Sequence, residues 1–345
     1  MPFEQVGDQK ETRVSQYFQM KDYILSLAEQ AQAKRPPLAV DGPEALERWQ
    51  EKNRPVIERL LGWPAPIPEY EPQLISEEEI GSDELVRSIR RMTIRVAEGL
   101  DVYGIYLLPY AEKPKFMLCF HGGSGCPELV SSVCPSANYN DGARKLVAEG
   151  FAVFCPLFVV RFEEEVDGWT AGYRNGLHLN ALWAGTTVLA IELTKVRRAL
   201  RYFASRPEVD AAHPGVAGLS YGGYFAFYAA ALIPEIAFAI SSCYFSDRLA
   251  VMKDHPDGLL DWQCPGAGAA FADAEIAAMI CPRPLYIEVG QRDELFAPEG
   301  AQAEAERVRS VYEAVGCGEN FLFDVFDGKH EFRLDHAGKF LKEFA

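Results

Sequence analysis

Gly218-Leu219-Ser220-Tyr221-Gly222-Gly223 is the stretch that decides the fold of this chain. A serine stands between two glycines, after the apolar pair Val216-Ala217 and before a helix-like run from Tyr224 to Leu232. That is the layout of a nucleophile elbow, a tight strand-to-helix turn that presents a hydroxyl to substrate. Glycine is required because side chains two positions before and after the serine would collide across the turn. Gly223 extends the small patch and lets the helix approach the strand closely. The pattern alone is weak in a Gly-rich chain, so its weight comes from its surroundings.

On both sides of this stretch, strand-like and helix-like segments alternate. Lys115 to Phe120 and Phe151 to Cys155 are short apolar runs, as buried parallel strands require. Helix-like Gly142 to Ala148 lies between them, and a long helical pattern spans Thr187 to Ser205. Beyond the elbow helix come strand-like Phe238 to Ser242, Pro284 to Val289 and Phe321 to Phe326. Helices are predicted over Gly300 to Val315 and Phe332 to Phe344. Two runs, Ser88 to Val96 and Val102 to Leu108, flank the hairpin signal Glu98-Gly99. The alternation predicts an α/β fold, a mainly parallel twisted sheet with helices on both faces. Ligands of such sheets bind at the carboxyl ends of the strands.

The start of the chain has another rhythm, and residues 1–82 are predicted to form an N-terminal helical extension ahead of a catalytic domain over 83–345. Tyr17, Met20, Ile24, Leu27 and Ala31 recur at helical spacing. Asp41-Gly42-Pro43-Glu44 resembles a helix start with a carboxylate cap. Leu46, Trp49, Val56 and Leu60 share one face of that second helix, and the Pro-rich stretch Trp63 to Pro72 ends it. A structural cover or an oligomer contact suits these helices better than catalysis.

Composition narrows the function classes. A net charge of −16 over 345 residues disfavours nucleic acid and anionic membranes as partners. No apolar run approaches ~20 residues, so no membrane span is expected. The polar, acidic start lacks the pattern of a signal peptide, which makes the cytoplasm the expected compartment. Of the eight cysteines, none forms a C-x-x-C pair, so neither a zinc site nor a redox motif is expected, and no cofactor is called for. Cys126 and Cys134 share a loop region and would pair only in an oxidising compartment.

The candidate chemistry follows strand by strand. After Lys115 to Phe120 comes His121-Gly122-Gly123-Ser124-Gly125, a loop whose N–H groups, with that of Tyr221, can form an oxyanion hole. After Pro284 to Val289 comes Asp293, in the place of a triad acid; Asp247, after the preceding strand, remains an alternative, with Glu294 and Glu288 as neighbours. After Phe321 to Phe326 comes His330, in a Gly-containing loop suited to a general base. The chain has six histidines, and none of His121, His178, His213, His255 and His336 is as well placed. The order Ser220, Asp293, His330 is that of one hydrolase fold and differs from two other common triad orders.

On these motifs the chain resembles the α/β-hydrolase superfamily from about Leu85 onward. It is most similar to the dienelactone hydrolase and acetyl xylan esterase-like branch, through His121-Gly122-Gly123-Ser124-Gly125, Arg206-Pro207-Glu208-Val209-Asp210 and the elbow. The resemblance implies nucleophile, acid and base at Ser220, Asp293 and His330, and oxyanion N–H groups at Gly123 (or Ser124) and Tyr221. It implies an acyl-enzyme mechanism on a small-molecule ester of acetyl or sugar type, without cofactor. Dienelactone hydrolases carry a cysteine nucleophile, so Ser220 favours an esterase, with thioester, lactone or carbon–carbon bond hydrolysis as alternatives. A peptidase is disfavoured because the related peptidases carry a β-propeller that this length cannot hold.

Substrate choice is expected to reside in two irregular insertions, near 157–186 and 244–281. Arg161, Trp169, Tyr173, Arg174, His178 and Trp262 in them are candidate substrate contacts, aromatics for stacking and arginines for a carboxylate. Packing and surface ion pairs are the competing roles for each. The helical extension makes a homo-oligomer an expectation as well.

Overall fold

The chain is described by a computed structural model covering residues 10–159, 164–166, 169–171, 174–254 and 260–344. Among these, nine strands form one sheet: β1 (Gln73–Gly81), β2 (Val86–Ala97), β3 (Leu100–Pro109), β4 (Lys115–Phe120), β5 (Phe151–Pro156), β6 (Asp210–Leu219), β7 (Phe238–Ser242), β8 (Leu285–Gly290) and β9 (Phe321–Phe326). Their order is β1-β2-β3-β5-β4-β6-β7-β8-β9. The first four strands in this order pair antiparallel, and from β5 onward all pairs are parallel. The two neighbours of β4 are β5 and β6, reached on opposite sides, so the chain reverses direction across the sheet at β4. A crevice opens at such a switch point, and both the elbow and the Gly-rich loop flank it.

The apolar runs explain the middle of the sheet. β5, β7 and β8 are buried at every position, because helices cover both faces. The main helices are α1 (Lys10–Ala33), α2 (Pro43–Leu61), α3 (Gly142–Ala148), α4 (Arg174–Trp183), α5 (Val188–Ala204), α6 (Tyr221–Leu232), α7 (Arg248–Asp254), α8 (Asp273–Ile280), α9 (Pro298–Val315) and α10 (Ala337–Phe344). One core joins α2, α5, α6, α8 and α9 to one face of the sheet, as where Phe203 stacks on Phe116 with ring centroids 4.3 Å apart. The second core joins α3 and α10 to the other face through Leu146, Val147, Phe340 and Leu341.

Several expectations change. The stretch 1–82 contains β1, a sheet strand with every residue exposed or half-exposed. It pairs with β2 and is held by cross-strand ion pairs, Glu77 with Arg90 at 2.7 Å and Glu78 with Arg91 at 3.1 Å. α2 docks as a cover: Gln50 donates to the carbonyls of Ala278 and Cys281 at 2.7 and 2.8 Å. Its cap position is Gly42, with no side-chain bond, so Asp41 does not cap it. Its buried residues are Leu46, Ile57 and Leu61. On α1 the predicted stripe stays largely in solvent, with Tyr17 67%, Met20 61% and Ile24 55% exposed. Among its described residues, the insertion 244–281 is mostly helical rather than irregular. The last helix begins at Ala337 instead of Phe332, because the N–H groups of Phe332, Arg333 and Leu334 donate to Asn138 and Glu288.

Candidate active site

Strand β6 delivers Ser220 to the carboxyl edge of the sheet, and α6 starts directly after it. Its backbone adopts φ 58° and ψ −115°, a conformation that side chains disfavour. Neighbours hold it there: the Ser220 N–H donates to Ser242 O at 2.7 Å, and Ser220 O accepts from Tyr224 N at 2.8 Å. The glycines are required by close approach. A Cβ on Gly218 would lie 2.3 Å from Gly222 O, and one on Gly222 would lie 2.2 Å from Phe120 O.

His330 and Asp293 meet at the ends of β9 and β8. The ring Nδ1–H donates to Asp293 Oδ2 at 2.8 Å. Asp293 is buried, and its other oxygen accepts the N–H groups of Leu295 and Phe296 at 2.8 and 3.1 Å. The carboxylate is thus fixed from both sides, and the imidazole keeps Nε2 for the cavity that it and Ser220 line together. Asp247 is not bonded to His330 and does not line that cavity; its carboxylate accepts from Leu249 N at 2.9 Å on the N-terminal turn of α7. Glu288 bonds to neither His330 nor Asp293. It is buried, accepts from Ser242 Oγ, Tyr286 OH, Arg333 N and Leu334 N at 2.7 to 3.0 Å, and so anchors the loop that carries His330. Burial raises its pKa, while these donors oppose the rise. Glu294 stays exposed.

The loop after β4 lies beside the elbow. Gly122, Gly123, Ser124 and Gly125 line the cavity with Ser220 and Tyr221. The Gly122 N–H donates to the Tyr139 hydroxyl at 2.7 Å. Those of Gly123 and Tyr221 bond to no described residue. Gly125 also packs tightly, since a Cβ there would meet Tyr139 OH at 1.9 Å. His121 is structural. Its Nε2 accepts from Phe158 N at 3.0 Å, which assigns the proton to Nδ1 and makes it the donor to Gly122 O at 2.8 Å. Burial pushes its pKa down to about 4, the Lys195 and Arg174 cations add to that shift, and the Gly122 carbonyl opposes it.

A pH dependence follows. The folded pKa lies below the usual His value of 6.5, so the unfolded chain binds the proton first. The stability that neutral His121 provides is complete above pH 6.5 and is lost as the pH falls from 6.5 towards 4, by about 3 kcal/mol. Urea denaturation of wild type and His121→Asn across that range checks this. The variant should be less stable at pH 7 and lose less on acidification; equal losses in both proteins contradict the assignment.

The cavity holds about 450 Å³. Of the candidate substrate contacts, Arg174 and Trp262 line it. Arg174 is buried, with Nε 3.0 Å from Asp261 and its guanidinium 3.8 Å over the Tyr221 ring. His178 does not line the cavity; it is buried, and its Nε2–H donates to Gln263 O at 3.0 Å. Burial lowers its pKa. Arg161 and Tyr173 fall outside the described residues, and Trp169 is described only as part of the strand Trp169–Ala171. The structure adds residues that sequence reading missed. Phe296 stacks on His330, with centroids 5.8 Å and planes 19° apart. Tyr139 and Asn138 come from the loop before α3. Cys243, buried after β7, has its sulfur within 4.8 Å of the Asp293 and His330 ligand atoms. Burial and the Asp293 and Glu288 charges raise its pKa well above the usual thiol value, so it stays neutral.

Comparison with known proteins agrees with this architecture. No protein-family model matches the chain. A Bacillus subtilis (strain 168) relative named "Putative hydrolase YtaP" is 25% identical over 285 residues, 78% of this chain and 89% of the relative. Among solved structures, a "putative acetyl xylan esterase" of Bacteroides fragilis NCTC 9343 superposes with TM-score 0.66 at 16% identity, over 87% of this chain and 81% of that one. A glucuronoyl esterase of Solibacter usitatus superposes with TM-score 0.64 at 18% identity, over 90% and 98%. Among the described residues, no helix is long and apolar enough to cross a membrane. Sheet order, elbow and these likenesses together give the chain the α/β-hydrolase fold.

Proposed function

We propose that the chain is a serine hydrolase that cleaves carboxylic esters of the acetyl or sugar-linked type. The observation that carries this reading is the His330–Asp293 hydrogen bond, which opens on the cavity that contains Ser220 at a strained elbow. In the first step His330 Nε2 takes the Ser220 proton while Oγ attacks the acyl carbon. The N–H groups of Gly123 and Tyr221 receive the negative charge on the acyl oxygen, with Ser124 beside them. His330 returns the proton to the departing alcohol. Water, deprotonated by His330, then cleaves the acyl-enzyme and regenerates Ser220. Asp293 holds the ring in the tautomer that leaves Nε2 free as base. Sugar-linked esters are supported by the names of the structural neighbours, an acetyl xylan esterase and glucuronoyl esterases.

The test is hydrolysis of p-nitrophenyl acetate, followed by a panel of acetyl, feruloyl, lactone and thioester substrates. Acetyl-ester cleavage above the buffer rate is expected, with oxyesters ahead of thioesters. No cleavage of any oxyester contradicts the reading. The cytoplasm is the proposed compartment, with the eight cysteines carried as free thiols in support. A homo-oligomer is likewise proposed, supported by the apolar residues that α1 leaves exposed; a monomer in sedimentation at micromolar concentration contradicts it.

A further inference from the structure

A second cavity, of about 370 Å³, adjoins the catalytic one at Trp262. Its walls come from the end of α1, the end of α2, α7 and residues 262–273, and include Leu27, Ala31, Leu61, Met252 and Phe271. The two cavities have one described lining residue in common, Trp262. Its side chain is nearly buried, at 7% exposure. It stacks on Tyr221, Tyr224 and Phe296, with centroids 6.0, 5.0 and 5.8 Å away and planes within 24° of parallel. Its Nε1 has no hydrogen-bond partner among the described residues. The indole is therefore a wall common to the two cavities, held in place by the rings stacked on it. Tyr221, its stacking neighbour, supplies an oxyanion N–H, so the wall stands beside the acyl position.

We infer that Trp262 sets the acyl length that the enzyme accepts, confining substrates to short acyl groups by closing the way from Ser220 to the second cavity. This rests on the ester-hydrolase reading and adds the acyl class to it. A medium-length acyl chain meets the indole in the cavity wall and has no apolar pocket to enter. Without the indole the two spaces join, and each methylene that enters is buried against residues such as Leu61, Met252 and Phe271.

The experiment measures kcat/KM for p-nitrophenyl acetate, butyrate and octanoate in wild type, Trp262→Ala and Trp262→Ala with Cys264→Phe. Cys264 also lines the second cavity, so the added ring refills it. Wild type should prefer acetate. In Trp262→Ala the octanoate-to-acetate ratio should rise at least about 10-fold, the least that one added methylene is worth in an apolar pocket, and the double variant should reverse most of that rise. Trp262→Leu should give a smaller rise and serves if the alanine variant does not fold. A wild type active on acetate whose variants keep the wild-type ratio overturns the role of Trp262 alone. A wild type inactive on all three esters overturns the ester reading itself.

Discussion

Ser220→Ala should lower kcat on p-nitrophenyl acetate by about 10⁴- to 10⁶-fold, the loss expected when a triad nucleophile is removed. The fold should survive, because the changed atom is a single hydroxyl at a cavity wall. Ser220→Gly should lose as much activity and yet be more stable than the alanine variant by about 1 kcal/mol. The reason is the backbone at φ 58° and ψ −115°, which carries a side chain in serine and alanine alike. The wild type keeps this strain because the turn aims Oγ at the cavity, so activity and stability should separate at this position. Activity and chemical denaturation measured on all three proteins check both parts. A glycine variant no more stable than the alanine variant contradicts the account of the strain.

Asp293→Asn should lower kcat by about 10⁴-fold, as a carboxylate that orients the ring of a catalytic histidine does when replaced by its amide. The asparagine carbonyl can still accept from Leu295 and Phe296, which bond to Oδ1. The amide NH₂ then faces Nδ1, which forces the proton onto Nε2, and a protonated Nε2 cannot take the Ser220 proton. Asp247→Asn should leave activity within about threefold, since a carboxylate that caps α7 contributes to stability alone. Steady-state kinetics on the two variants decide between the acids. A large loss in Asp247→Asn with full activity in Asp293→Asn would reverse the assignment.

The local requirements of the site were legible in the sequence. Gly218 and Gly222 signal the elbow because nothing larger fits against backbone oxygen at 2.3 and 2.2 Å. Continuous apolar runs reveal β4, β5, β7 and β8 because they are buried from both sides. The order Ser220, Asp293, His330 follows once chemistry is sought at strand ends. What escaped depends on distant partners. β1, with Glu77, Glu78 and Glu79, looks like a solvated charge run until Arg90, Arg91 and Arg206 are placed opposite it. α8 is short and is held by tertiary bonds such as Ala274 N to Glu304 at 2.9 Å. The loop 327–336 stays unwound because Glu288 takes its N–H groups, a contact of sequence separation 45 and 46. Phe296 and Tyr139 carry no motif, and their roles exist only through the rings and N–H groups that fold against them.

Ser220 as nucleophile, activated by the His330–Asp293 pair, is open to chemical labelling. Peptide mapping by mass spectrometry after treatment with a fluorophosphonate probe tests it most directly. One adduct per chain, on Ser220, is expected in wild type, none in Ser220→Ala, and greatly slowed labelling in His330→Ala. An unlabelled wild type, or an adduct on another residue while Ser220 stays free, would contradict it.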